Sequence, residues 1–405
     1  MKKIILCSIF IVYVQSIFAQ ITGRIIDAYN QYPVIGANVF FNKTTKGTVT
    51  NRDGNFQLLL PEVGSFNLVV TAPGYETYTA NIQSNKLPLK LDINLKPKTN
   101  ESVEFSSEPY EKNGWVKWGR TFRESFLGSV EEAKRCKIVN PEVLKFRFNK
   151  NSRILKVTAT APLKIQNSAL GYNIIFHLEE FILDFSVNYV LYLGYPFFEE
   201  IKSQPSNRSN TWAQNRAYAY DGSVMHFMRA LYRNQLEEEG FELRKVTKIP
   251  NSNKEVKRAT AQGFLIKNDF VVLQPSFAFY ATPFLLEPDS LYIASNTLLN
   301  SKSIAFSVDS TTCGLYFDDY IEVNYTKRVE PIVYWQTIGT NFNSSINHPD
   351  EEKTLLSKIH ITGDKPILIF SNGIYLDQRD FVYSGFWANY EVISRMLPYD
   401  YKRKK

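Results

Sequence analysis

The chain has 405 residues, 44% of them apolar, with 47 Lys and Arg against 40 Asp and Glu. That is enough for at least two packed cores, and it excludes a disordered chain. The formal charge of +7 falls to +5 once Lys2 and Lys3 are removed with the leader described next. A balance so mild, with one basic cluster at Lys402-Arg403-Lys404-Lys405, argues against nucleic acid as a partner and reads as a solvated tail.

Residues 1–19 have a positive start at Lys2 and Lys3, an apolar run from Ile4 to Val14 and a small residue at Ala19. This is the pattern of a secretory signal peptide cut between Ala19 and Gln20. The run is shorter than the roughly 20 apolar residues that span a bilayer, and no later segment is apolar enough to be a transmembrane helix. The leader implies an exported protein, whether periplasmic, outer-membrane-associated or secreted. Cys7 follows the bulky Leu6 and most of the apolar run lies after it, which argues against a lipoprotein. Cys136 and Cys313 remain in an oxidising compartment, and one disulfide between them is possible.

From residue 20 to 97 the chain reads as short strands divided by turns. "ITGRIID" alternates, "VIGANVFF" returns, and Asp53-Gly54 between "GTVT" and "FQLLL" is a hairpin signal. "FNLVVTA", the Pro73-Gly74 turn, "YETYTANI" and "LKLDINL" complete seven strands. Such a series predicts an antiparallel two-sheet sandwich. Asn51, Asp53 and Asn55 suggest a calcium loop only weakly, because a hard cation needs more oxygen ligands than these.

Gly23, Asp27, Pro33, Gly36, Ala37, Val39, Gly47, Thr50, Asp53, Gly54, Phe56, Gly74 and Tyr75 together resemble the carboxypeptidase regulatory-like domain, a transthyretin-like sandwich. The resemblance implies a non-catalytic folding, docking or binding module. In that family it stands behind zinc carboxypeptidase domains. It also stands directly after a signal peptide in secreted and outer-membrane proteins of Bacteroidetes-type bacteria, TonB-dependent transporters among them. The position here is similar to the second context.

Residues 98–113 are polar, with Pro109 and several Ser, Glu and Lys, and read as a linker. Residues 114–405 predict a larger mixed antiparallel α+β domain, so the whole chain is mainly β. Phe122, Phe126, Val130 and Ala133 predict a helix over 121–136. "VLKFRF", "RILKVTATAPLKI", "YNIIFHLEEFILDF" and "YVLYLGYPFF" read as strands. A helical segment over 210–239 has Asp221 or Ser223 as N-cap, a stripe of Val224, Phe227, Met228, Leu231 and Leu236, and Gly240 as its C′ residue. Strands follow to about residue 369, and a final helix is expected over 385–396, before Pro398. "YAYDGSVMHFMRALYRNQLEEEGFEL" and "GFWANYEVISRMLPYDY" look similar to uncharacterised secreted Bacteroidetes proteins that carry the same front domain, which supports fold and address without chemistry.

His177 and Glu180 have the H-x-x-E spacing of two zinc carboxypeptidase ligands. On an unbroken strand residues three apart face opposite ways, and His177 would share a face with Glu179 instead. Only a bulge or loop at Leu178 could bring His177 and Glu180 together. A zinc site also needs a further ligand and a general base, and the other histidines are His226, His348 and His360. The pair is therefore disfavoured as a metal site. No G-x-S-x-G, Walker, dinucleotide or C-x-x-C motif is present. Trp115, Trp118, Trp212, Trp335 and Trp387 could stack on sugars, but such residues more often fill cores.

These readings predict a non-catalytic envelope binding or scaffolding protein without a cofactor, its partner an envelope protein or glycan. The alternatives are a secreted hydrolase with its site in the larger domain, and an outer-membrane barrel or transporter component.

Overall fold

The computed structural model describes residues 20–60, 64–98, 109–128, 130–186, 189–202, 206–250, 290–331, 354–376 and 380–403. The leader through Ala19, together with Trp335 and His348, lies outside them, while Gln20 opens the first strand.

Seven strands are described in the front unit: β1 (Gln20–Asp27), β2 (Asn38–Phe41), β3 (Gly47–Val49), β4 (Asn55–Leu59), β5 (Ser65–Thr71), β6 (Tyr78–Gln83) and β7 (Leu89–Leu95). They pair in two sheets, β4-β1-β7 and β3-β2-β5-β6. One correction concerns strand direction. β7 runs parallel to β1, because the chain leaves β6 for the other sheet instead of turning back on itself.

Several of the motif residues hold this sandwich together by hydrogen bonds. Asp27 accepts the Tyr29 and Asn30 amides on one oxygen and the Tyr75 hydroxyl, at 2.8 Å, on the other. Those amides hold its carboxyl below the usual range. Thr50 Oγ1 accepts from Ala37 N and donates to the Val34 carbonyl, closing the loop before β2. Asn51 Oδ1 accepts the Asp53 and Asn55 amides, so this side chain organises a turn. Gly54 sits there at φ +76°, and a Cβ on it would lie 2.4 Å from the Ile25 carbonyl.

The rest of the chain begins with α1 (Gly114–Leu127) and α2 (Glu131–Lys134). The expected 121–136 helix thus starts earlier and is broken at Gly128, whose φ is +93°, and Cys136 belongs to a strand. Phe122 and Phe126 are fully buried as predicted. They lie on a sheet of β8 (Cys136–Ile138), β9 (Leu144–Asn149), β10 (Ile154–Ala159), β11 (Leu163–Asn167), β12 (Tyr172–Asp184) and β13 (Tyr189–Glu200). The long β12 pairs with β13 along one side, and on the other with β11 first and then β10.

The predicted 210–239 helix is three pieces, α3 (Ser206–Tyr220), α4 (Val224–Tyr232) and α5 (Leu236–Glu239). Gly222 at φ +83° and Asn234 at φ +56° divide them. Ser223 caps α4 by accepting His226 N, and Gly240 ends α5 in the left-handed conformation. All five residues of the predicted stripe are buried.

Eight more strands follow: β14 (Phe241–Pro250), β15 (Ser290–Leu298), β16 (Ala305–Ser307), β17 (Thr312–Leu315), β18 (Tyr320–Val329), β19 (Thr354–Ile361), β20 (Ile367–Phe370) and β21 (Phe381–Gly385). They form the antiparallel sheets β15-β14-β18-β19-β21 and β16-β17-β20. The last predicted helix is only α6 (Phe386–Tyr390) and a 3₁₀ turn at Ile393–Arg395. The chain is mainly β, and its core falls into three clusters. One is the sandwich interior, and it includes Phe370, Ile374 and Tyr399 from the larger part.

Candidate functional site

The turn between β2 and β3 joins the sandwich to the rest of the chain. Lys43 occupies it at φ +55°. Its amide donates to the Pro196 carbonyl at 2.8 Å, and Phe198 N donates to the Thr44 carbonyl, so the turn adds itself to β13. Tyr399 N donates to the Lys43 carbonyl at 2.6 Å, and Asp400 accepts the Thr45 amide and hydroxyl. Both backbone groups of Lys43 are thereby engaged by different parts of the larger unit.

The C-terminal segment is itself clamped. Arg229, buried in α4, donates Nε to the Asn372 carbonyl, Nη1 to Tyr401 O and Nη2 to Tyr399 O, at 2.8–2.9 Å. Arg403 is not a loose tail residue, since it reaches Asp221 with two nitrogens at 3.0 and 3.1 Å. Lys402 and Arg403 are both exposed, in keeping with a solvated basic end, and Lys404 and Lys405 lie outside the described residues.

A cavity of about 1130 Å³ lies where sandwich, β13 and the C-terminal segment meet. Asn42, Lys43 and Asn67 face it from the sandwich, and Tyr192, Tyr375, Tyr383 and Tyr399 from the larger unit, with Glu391 and Arg395. All four tyrosines are buried. Burial pushes each hydroxyl above its usual pKa, so they stay neutral. Burial also pushes the Lys43 ammonium down to about 8, against the pull of Glu391. Glu391 moves the opposite way. Its burial raises its pKa over the opposing effects of the Val224 amide, which it accepts at 3.2 Å, and of Arg395 and Lys43. An amine and a carboxyl whose charged forms burial disfavours thus line one partly open, tyrosine-walled cleft, the kind of site that takes a small ligand.

A second groove of about 1100 Å³ lies on the other side of the C-terminal segment. Four of its charged groups satisfy one another. Arg216 stacks 3.9 Å from the Tyr172 ring and pairs with Glu200, and Arg403 pairs with Asp221. The seam cavity is therefore the candidate site.

The H-x-x-E pair behaves differently from the alternation argument. β12 is bulged between Leu178 and Glu180. His177 pairs with Tyr195 and Glu180 with Leu193, two residues apart on β13, so both face the same way. Glu179 is the extra residue. It is exposed and accepts the Thr77 hydroxyl at 2.9 Å. The His177 ring stacks on Phe40 at 5.2 Å, and burial lowers its pKa to about 4. The other described imidazoles lie elsewhere. His226 is held by Gly222 N and Glu239, and His360 by the Asp319 carbonyl. Among the described residues no three His, Cys, Asp or Glu side chains are placed to hold a metal ion.

Cys136 and Cys313 are both free thiols, in strands of different sheets, which corrects the possible disulfide. Of the described tryptophans, Trp387 and Trp212 are buried and donate to the Gly222 and Ser168 carbonyls. Trp115 and Trp118 pack on Phe146 and Phe148. No sequence motif marks Lys43, Tyr192, Tyr375 or Tyr383, while Glu391, Arg395 and Tyr399 fall in the stretch "GFWANYEVISRMLPYDY", which implies no chemistry.

A seven-stranded sandwich with these turn residues is a carboxypeptidase regulatory-like module. Residues 21–106 match the family described as CarboxypepD_reg-like domain. No curated protein matches the chain. Among solved structures, a protein of unknown function from Bacteroides fragilis NCTC 9343, provisionally described as membrane-associated, aligns with 90% of this chain and 92% of that one. The identity is 11% and the TM-score 0.16, too low to carry an argument about fold or function. Among the described residues no helix is long and apolar enough to cross a membrane.

Proposed function

We propose that this is an exported, non-catalytic binding protein of the cell envelope, whose regulatory-like sandwich forms one wall of its ligand site. The observation that carries the reading is the seam cavity, shared by the sandwich and the larger unit and walled by four buried tyrosines. Docking by the sandwich is then at least partly internal, since its Lys43 turn is already bonded to β13 and the C-terminal segment. The leader pattern at residues 1–19 supports export.

The test is native mass spectrometry of the full mature chain purified from envelope fractions. A stoichiometric small molecule that leaves on denaturation supports the reading. An empty chain, recovered from the cytoplasm, sinks it.

A second reading, a hydrolase, draws on one observation, the Lys43 amine and Glu391 carboxyl with opposed shifts in one cavity. Turnover of ester, peptide or glycan substrates that is lost in Glu391→Gln would favour it over simple binding.

A further inference from the structure

The inner charges of the seam cavity are not matched. Lys43 Nζ has no hydrogen-bond acceptor and no ion pair among the described residues, and the aromatic ring it faces, that of Tyr399, is 5.8 Å away. Arg395 is 7% exposed. It donates Nη2 to the Tyr218 carbonyl at 3.3 Å and lies 4.6 Å from the Tyr390 ring, yet its Nη1 is buried without an acceptor among the described residues. Both cations act on the same carboxyl, Glu391. Glu391 already accepts the first amide of α4, and its burial favours the neutral acid.

The remaining acids along the cavity are Glu179, Glu180 and Asp380. Glu179 is exposed and engaged by Thr77, while Glu180 and Asp380 are half-buried, as Lys43 and Glu391 are. The cavity therefore has two cations with spare donors and one carboxyl whose charge burial disfavours. Its walls are the rings of Tyr192, Tyr375, Tyr383 and Tyr399. A buried donor without an acceptor is costly, and an apolar pocket with a few convergent polar groups fixes a ligand by its head.

Resting on the binding reading above, we propose that the seam cavity takes a hydrophobic organic acid, its acid group paired with Lys43 and its aromatic or aliphatic body along the four tyrosines. Arg395 is the second cation for the head group. An anion beside Lys43 favours the charged amine, so binding draws a proton onto it. Because burial has brought the Lys43 pKa to about 8, affinity for the acid falls as the pH rises from 7 to 9.5. Glu391 ionising over any part of that range acts in the same direction, while the four tyrosines stay neutral.

Isothermal titration of the full mature chain with decanoate and 2-naphthoate tests this, against the neutral 1-decanol and 2-naphthamide and the cationic decylamine. At least one acid is expected to bind ten or more times tighter than its neutral counterpart. Lys43→Gln, its fold checked by circular dichroism, should remove most of that preference. Lys43→Arg should keep the preference at pH 9.5, where the native chain has lost most of it. Equal binding of acid and alcohol, or a preference for the amine, overturns the acid assignment and leaves the binding reading standing. Binding of none of these probes also overturns it, while native mass spectrometry decides the binding reading separately. An acid preference that survives Lys43→Gln shows that the head group is held elsewhere.

Discussion

The amide of Tyr399 donates to the carbonyl of Lys43 at 2.6 Å, so the last described segment of the chain closes on a turn of its first domain. The Thr45–Asp400 bond beside it spans 355 residues of sequence. The ligand site proposed above exists only while this closure holds, because Lys43 and Tyr399 both line the cavity.

Arg229 is the group on which that closure depends. Its guanidinium is the donor to three carbonyls, two of them on the C-terminal segment. Arg229→Met should cost about 3–5 kcal/mol, since each buried carbonyl left without a donor costs about 1–3 kcal/mol. Arg229→Lys should recover little, because one ammonium cannot reproduce a planar fork. Urea denaturation measures both. A loss under about 1 kcal/mol for the methionine variant would show that water replaces the clamp at no real cost.

Lys43 should destabilise the fold at neutral pH. Its folded pKa, about 8, lies below its ordinary 10.5. Between those values the unfolded chain holds the extra proton, so stability rises with pH through that window and the full cost is felt below it. Lys43→Met should therefore stabilise the protein at pH 7 by about 1–3 kcal/mol, because each tenfold loss of proton affinity on folding is worth roughly 1.4 kcal/mol. The gain should shrink between pH 8 and 10.5. Thermal melts of both proteins across pH 6–10 check the sign. A methionine variant less stable at pH 7 would mean that the ammonium is well compensated. A residue that costs stability where it lines a cavity fits a functional group better than a structural one.

Local signals and distant ones differ in how far the sequence exposes them. Gly54, Gly240 and Ser223 are legible because a hairpin turn, a helix C′ and an N-cap each depend on a few neighbouring residues. The stripe from Val224 to Leu236 is legible because one face of a helix repeats. The break at Gly222 is legible in the N-cap at Asp221 or Ser223, while the one at Asn234 escapes the reading because Leu236, five residues after Leu231, is still apolar and buried. Nothing near Lys43 marks it. Its setting is made by Pro196, Glu391 and Tyr399, and those meet it only through the tertiary fold. The bulge at Glu179 is equally silent to motif reading, although Phe176 and Phe181 hold its trace. Both are buried, and two inward residues five apart require one parity change between them.

That parity change makes the bulge testable by deletion. Removing Glu179 joins Leu178 to Glu180 in the register they already have on Gly194 and Leu193. Phe181 and Leu183 keep facing the core, and the loss is confined to the Thr77 contact and the local bend. The deletion should stay folded at a cost of about 0.5–3 kcal/mol, the ordinary range for a local change. Deleting Ile182, past the bulge, turns Leu183 to the opposite face and should unfold this half of the sheet. Equal damage from the two deletions, read by circular dichroism and urea melts, would show that the bulge is required for the sheet itself.

The two thiols make an independent test of the packing. Burial pushes the Cys136 thiol up to about 12, with Glu132 adding to it, and burial also raises Cys313. The thiolate is the reactive form, so both should be slow toward a disulfide reagent at pH 8 in the native protein. The mature chain should release two equivalents only on denaturation, because Cys7 leaves with the leader. Cys136 sits in β8 beside the core under α1, and Cys313 in β17 across from Ile369. A bridge between them would have to join strands of separate sheets, so a chain purified without reductant should still titrate two thiols in denaturant. A count of zero would place the two strands within disulfide reach and overturn the arrangement of sheets described above.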